Sequence, residues 1–412
     1  MHRNILTLLV IAVSCVLGVE NISAQKRELS EAKSLLKQNK SLDKAESLMH
    51  TVLSDPEQKN IINNYVLLAD IVKKQYENTN EKLYLKQLSD TTTLFSSLQK
   101  MFSAFVQLDS IDALPDSKGR TKLKYRRKNA EYLNLLRPNL FRGCQFYFYH
   151  KKYNDAFSCI DTYLQSFNYP LFQQYDYLST DTLRTEAAYL AVLSASHQKD
   201  YAGIEKYEHI ALENKATQAA LLSLLYDIYT EKGDTAKAVA YLKQGFEMHS
   251  DYPFFFPRLF DYYSQHGEMA EVEDIVMKAI SRQPENNAYK VALNILQLNQ
   301  EKYDECIALG DSLLAVNDQL AEPYYNVGSA YFNKALQHYE QNKGNRNRRK
   351  KANDLYAKAL PYIERYRSLR PKFERRWAPM LYTLYLELNK GKEFEEIERI
   401  MNSASYKTGK KQ

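Results

Sequence analysis

The chain has little that bends and little that reacts. Among 412 residues there are only 12 glycines and 11 prolines, so few turns and long helices are expected. No G-x-x-x-x-G-K phosphate loop, H-E-x-x-H or G-x-S-x-G occurs, and no Cys or His pair stands at metal-ligand spacing. The 8 histidines are scattered, at most one to an element. With no signature for nucleotide, metal or acyl chemistry, the chain reads as a non-enzyme with no cofactor and no metal. A formal net charge of +6 is mild for this length and does not point to nucleic acid. What is abundant is tyrosine, 33 against 17 phenylalanines. Such rings can pack their bodies between helices and leave the hydroxyl at a wet rim.

The N-terminus has its own logic. His2 and Arg3 precede an apolar run from Ile5 to Val19, and Ala24 ends the stretch before Gln25. A positive start, an apolar centre and a small residue at the end make residues 1–24 a signal peptide, with a mature chain that begins at Gln25 in the periplasm. The run is short for a membrane span. It resembles Gram-negative export signals, those ending in Ala-Gln being common in Bacteroidetes. Cys15 opens the alternative of an outer-membrane lipoprotein, although Ala12 fits the start of a lipobox poorly.

From Asp181 to Phe332 one pattern restarts five times. Short turns at Lys199 to Tyr201, Lys232 to Asp234, His266 to Glu268 and Glu301 to Tyr303 keep a step of 34 residues. Ile204, Ala238, Val272 and Cys306 follow those turns where a second helix presses on the first. Leu222, Leu225, Tyr226 and Tyr229, then Phe256, Leu259, Phe260 and Tyr263, repeat one apolar helix face a period apart. The fifth copy puts Tyr324, Val327, Gly328 and Tyr331 in aromatic, aliphatic, glycine and tyrosine slots. On these residues the chain resembles the tetratricopeptide-repeat family. The resemblance implies an all-α, right-handed superhelical solenoid of antiparallel helix pairs that bury a shared core by stacking.

The rest of the chain fits around that stretch. Residues 25–115 read as N-terminal helical repeats and residues 116–136 as a basic connecting segment. Residues 137–412 read as the solenoid, with inserts at 169–181 and at about 335–351. The first insert adds 14 residues and either lies on a binding face or caps an irregular junction. The second is expected to be a helical arm with a basic tip of Arg346, Arg348, Arg349, Lys350 and Lys351, for a solvated surface or an anionic one. Basic residues from Lys118 to Lys128 pose the same choice. Cys144 and Cys159 lie on the two helices of one repeat near facing positions, a spacing open to a disulfide or to two small core residues.

The family usually binds extended peptides in a concave groove lined by first helices. The matching groove positions include Phe141, Phe148, Tyr189, Tyr325, Phe332, Tyr382 and Tyr385, with no basic clamp among them. That departs from capture of a terminal carboxylate and favours a partner with apolar or aromatic side chains, unless these rings fill the interior. The expected function is a non-catalytic protein-binding scaffold of the bacterial envelope. The alternatives are an outer-membrane assembly or secretion accessory, or a protein that binds an envelope polymer or glycan.

Overall fold

The computed structural model describes residues 26–87, 90–342 and 347–403. The signal segment with Cys15, and Arg346 of the basic tip, lie outside them. The described residues are helical with no strand, and the expectation of an all-α solenoid of antiparallel helix pairs holds. The helices are α1 (residues 26–38), α2 (Leu42–Leu53), α3 (Ile62–Tyr84), α4 (Thr91–Asp112), α5 (Arg126–Tyr149), α6 (Tyr153–Gln165), α7 (Tyr177–Thr180), α8 (Arg184–Ser196), α9 (Tyr201–Ala211) and α10 (Gln218–Lys232). They continue as α11 (Thr235–Met248), α12 (Phe255–Gln265), α13 (Met269–Arg282), α14 (Asn287–Asn299), α15 (Tyr303–Val316), α16 (Ala321–Gln341), α17 (Arg348–Leu369), α18 (Glu374–Glu387) and α19 (Gly391–Asn402). Among the described residues, no helix is long and apolar enough to cross a membrane.

The chain forms two compact units, Met1–Leu221 and Leu222–Gln412. In the first, packing runs α2 to α3, α3 to α4, α4 to α5, α5 to α6, α6 to α8 and α8 to α9. In the second it runs in chain order from α11 to α19. A stack of this kind closes its core one pair at a time.

One backbone device makes the pairs. At Asn39, Lys151, Lys199, Gly233, Gly267, Glu301 and Asn389 the chain turns through the left-handed region. At each of these the next residue's N–H bonds a carbonyl five positions back, as from Asp234 to Tyr229 and from Lys302 to Gln297. That bond ends the first helix and aims the second back along it. Asp200 and Asp234 then cap the following helices, accepting from the Gly203 and Lys237 N–H groups. The starts of α9, α11, α13 and α15, at Tyr201, Thr235, Met269 and Tyr303, are each 34 residues apart. Ile204, Ala238, Val272 and Cys306 are all buried, as their slot requires.

Where the pattern breaks, the structure shows why. Within the 169–181 insert a single 3-10 turn (Pro170–Phe172) and α7 bury Leu171, Phe172 and Tyr177. Asp181 closes the insert by accepting from Arg137 Nη2 at 2.6 Å and from the Tyr163 hydroxyl at 2.6 Å. The Arg137 guanidinium lies 3.7 Å from the Tyr163 ring centre and 4.0 Å from that of Tyr177. The insert is thereby tied to α5 and α6. Phe172, Tyr177 and the Asp181 carboxylate face inward, while Asp176 is exposed.

The basic segment is divided rather than continuous. Arg126 opens α5 and forks onto Asp109 of α4 at 2.7 and 2.9 Å, and the Tyr125 N–H donates to Asp112. The second insert differs too. Helix α17 begins at Arg348, four residues before the expected Ala352, because α16 and α17 pack on one another and bury Ala335, Ala352 and Tyr356.

Candidate binding clefts

Helix α4 positions the site. Asp90 caps it by accepting from the Thr92 N–H at 2.9 Å. Its Phe95, Leu98, Met101, Phe102 and Phe105 are buried, which fixes the rotation of the helix. The opposite face then presents Ser96, Gln99, Lys100, Ser103 and Gln107, three and four residues apart. These are mostly hydroxyls and amides.

Two clefts flank Lys100. One, of about 310 Å³, is walled by Glu46 and His50 from α2, by Gln99 to Gln107 of α4, and by Ser158 and Thr162 of α6, over a floor that includes Leu68 and Val72 of α3. The other, of about 350 Å³, is lined by Asn39, Asp43, Gln75, Asn78 and a group of serines and threonines. Three successive second helices therefore make the first wall. The family resemblance had placed a groove on first helices.

Glu46 and Lys100 are compensated by their neighbours, whereas Lys82 also lines the second cleft. Glu46 accepts from Gln75 Nε2 at 3.0 Å and from Lys100 Nζ at 2.9 Å, with His50 Nε2 3.7 Å away. Burial raises its pKa, but the Gln75 and Lys100 hydrogen bonds and the nearby charges outweigh that, and the carboxyl ends below its ordinary value. Gln75 also donates to Asp43 at 3.1 Å. Asn39 and Asn78 exchange amide hydrogen bonds at 3.3 and 2.7 Å. The clefts can thus hold a polar ligand through neutral donors and acceptors. Among the described residues, no group of three or more His, Cys, Asp or Glu is placed to hold a metal.

None of the expected groove rings lines either cleft. Phe141 and Tyr385 are core residues, 6% and 2% exposed, which corrects their assignment to a groove. Phe141 packs 5.9 Å from Tyr163, and the Tyr385 hydroxyl donates to Glu364 at 2.9 Å. Large rings on first helices turn toward the partner helix because that is where they lose most water. Phe148 is half-buried between Tyr153 and His197, and Tyr189 is half-buried in the same unit. In the second unit Tyr325 packs at a tilt against Tyr366 under Arg376, Phe332 packs on Tyr356, and Tyr382 packs on Phe394.

The other assigned residues are also placed. Arg348, Arg349, Lys350 and Lys351 form the first turn of α17, with Arg348 over Tyr339 and Arg349 3.7 Å from Glu387. Cys144 and Cys159 are free buried thiols, not a disulfide. Cys159 Sγ lies over Gly143, 3.1 Å from where a Cβ there would stand, whereas Cys144 sits beside Ser194 of α8. Burial pushes the Cys144 and Cys306 thiols up to about 12, and Cys159 is raised as well, by burial and then by Cys144. The cleft residues were not singled out in the sequence. The signal was there in LFSSLQKMFSAFVQL, where one helix face is mostly serine and glutamine with Lys100 as its one charge.

No protein-family model matches the chain, and no curated protein matches it. Among solved structures, the crystal structure of the P58(IPK) TPR domain is 12% identical over 94% of this chain and 100% of that one, with a TM-score of 0.25. The crystal structure of yeast Tom70 is 14% identical over 94% of each chain, with a TM-score of 0.27.

Proposed function

We propose that this chain is a non-catalytic, protein-binding scaffold of tetratricopeptide-like helix pairs, exported to the bacterial periplasm, and that the clefts of the first unit hold its partner. The observation that carries this is the polar wall built by α2, α4 and α6. Its side chains stand on helices locked by packing, so they are ordered before a partner arrives. The export pattern of residues 1–24 supports the compartment, and lipidation at Cys15 would make the same scaffold an anchored accessory for assembly or secretion. A photo-crosslinking residue at Ser103, compared with one at the exposed Met277 of the second unit, tests the reading in the native host. A defined polypeptide adduct from position 103 alone, in the periplasmic fraction, is expected. No polypeptide adduct, or a reaction catalysed by the pure protein and lost on one substitution, would overturn it.

A second reading rests on α17. Arg348 to Lys351 stand at the helix end whose dipole disfavours cations, an arrangement that an anionic envelope surface would relieve. Binding to anionic but not neutral vesicles, lost in Arg348→Gln with Arg349→Gln, would favour it.

A further inference from the structure

The hairpin turns of the first unit stand in one row. Asn39 of the α1–α2 turn exchanges amide hydrogen bonds with Asn78 of α3. Just past the α3–α4 turn, Thr92 accepts from the Tyr147 hydroxyl and from Lys152 Nζ at the α5–α6 turn, at 2.9 and 3.4 Å. Tyr153, which follows that turn, stacks on His197 of the α8–α9 turn with ring centres 4.0 Å apart. Residues 39–41, 84–87, 149–152 and 197–199 are the tips of the row, and they include five lysines with no carboxylate and no arginine. Asp90 and Asp200, which come after two of the tips, turn back to cap α4 and α9. Lys40, Lys86, Lys151, Lys152 and Lys199 are all exposed. Three of them hold the left-handed position of their turns, Lys86, Lys151 and Lys199 at φ of 53°, 58° and 56°, where the second unit has Gly233, Gly267, Glu301 and Asn389. That conformation strains a lysine and not a glycine, so the lysines stand there against local preference. Tyr84 and Tyr149, on the same tips, are 86% and 84% exposed, with Leu85 exposed beside the first. Among the described residues no other aromatic ring is as open.

We propose that this row of turns is a docking edge for an anionic lipid surface, with the lysines at headgroup phosphates and Tyr84, Leu85 and Tyr149 in the interface. The tips carry charge of one sign, which sets the sign of the partner. The partner is lipid because the rings project from the tips and line neither cleft. A surface that takes in two projecting rings must yield, and the headgroup region of a bilayer does so, seating the ring body and wetting its hydroxyl. Lysine without arginine fits the same partner. A point charge on a flexible stem follows mobile phosphates, whereas fixed carboxylates on a folded protein favour the planar fork of arginine. The edge is separate from the α17 arginines and does not depend on what the clefts hold. It would keep the scaffold at a bilayer without a covalent lipid.

Flotation of the mature chain with vesicles tests this, using phosphatidylcholine alone and phosphatidylcholine with about one-third phosphatidylglycerol. The chain should bind only the anionic vesicles, and salt should release it. Lys86→Gly with Lys151→Gly should weaken binding about thirtyfold, the worth of two lysines at a charged surface. Its melting temperature should stay the same or rise, because turn strain is relieved. A second measurement locates the contact. The indole of Tyr84→Trp should be quenched by brominated acyl chains, and that of Met277→Trp, at an exposed site of the second unit, should not. The native Trp377 is 2% exposed and common to both variants. No binding to the anionic vesicles, equal binding to the neutral ones, unchanged binding in the two-lysine variant, or a loss seen only in Arg348→Gln with Arg349→Gln would overturn the proposal. So would binding without quenching at position 84. Tighter binding of soluble polyglutamate than of the vesicles would overturn it in favour of an acidic protein.

Discussion

Arg137 is the residue whose loss should be felt most. It is 6% exposed, paired to an Asp181 that is 7% exposed, and its Nε also donates to Ser166 at 2.7 Å. Removing the cation alone strands a buried carboxylate. Arg137→Met should therefore cost about 3 to 5 kcal/mol, whereas Arg137→Met with Asp181→Leu should recover most of it. Denaturant unfolding of the two variants checks this; equal losses would mean that packing, not charge, holds the insert. Glu46 makes a second prediction at this scale. Its folded pKa lies below the unfolded value near 4.5, so its contribution is present above that value and is lost as pH falls through the folded one. The stability gap between wild type and Glu46→Gln should be widest near neutral pH and close on acidification. A gap that does not change with pH would contradict the pairing with Gln75 and Lys100.

At the scale of the element, the hairpin turn sets both the repeat and its weak points. Gly267 and Glu301 occupy the same left-handed position one period apart, at φ of 71° and 60°. A Cβ on Gly267 would meet nothing within 4 Å, so Gly267→Ala isolates backbone strain and should cost about 1 kcal/mol. Glu301→Gly should gain about 0.5 kcal/mol, the relief of strain less the extra freedom of the unfolded chain. Urea midpoints of the two variants should move in opposite directions; a shift of the same sign would refute the shared turn geometry. These turns were legible in the sequence because a fixed step of 34 residues lines up unlike residues, Lys199 and Glu301 with two glycines. The wall of α4 was not, because serine and glutamine at helical spacing look like any wetted face until the neighbouring helices are placed. Ring direction was hidden for a related reason. Phe141 and Tyr385 have groove spacing, but whether a ring turns to the groove or to its partner helix depends on residues distant in sequence, Tyr163 and Glu364.

For the whole molecule, the boundary between Leu221 and Leu222 falls inside α10, with no proline, glycine or change of composition to mark it. Density of contact makes it, and one sequence does not show contact density. In a stack where each pair leans only on its neighbours, stability is a sum of local terms, and cooperativity extends as far as the packing does. Two compact units should then melt as two transitions. Gly328 of α16 offers a probe confined to the second unit, since a Cβ there would stand 2.4 Å from Ile363 Cδ1 and 3.2 Å from Tyr362 Cβ. That contact is to the Cγ1–Cδ1 arm of a fully buried side chain with little room to move, so Gly328→Ala should cost about 1 to 3 kcal/mol. Arg137→Met probes the first unit in the same way. In calorimetry each variant should lower one transition and leave the other in place, with the calorimetric enthalpy above the van't Hoff value fitted to a single step. If both variants instead shift one merged transition by comparable amounts, the chain folds as one cooperative body, and the division at Leu221 is geometric without being energetic.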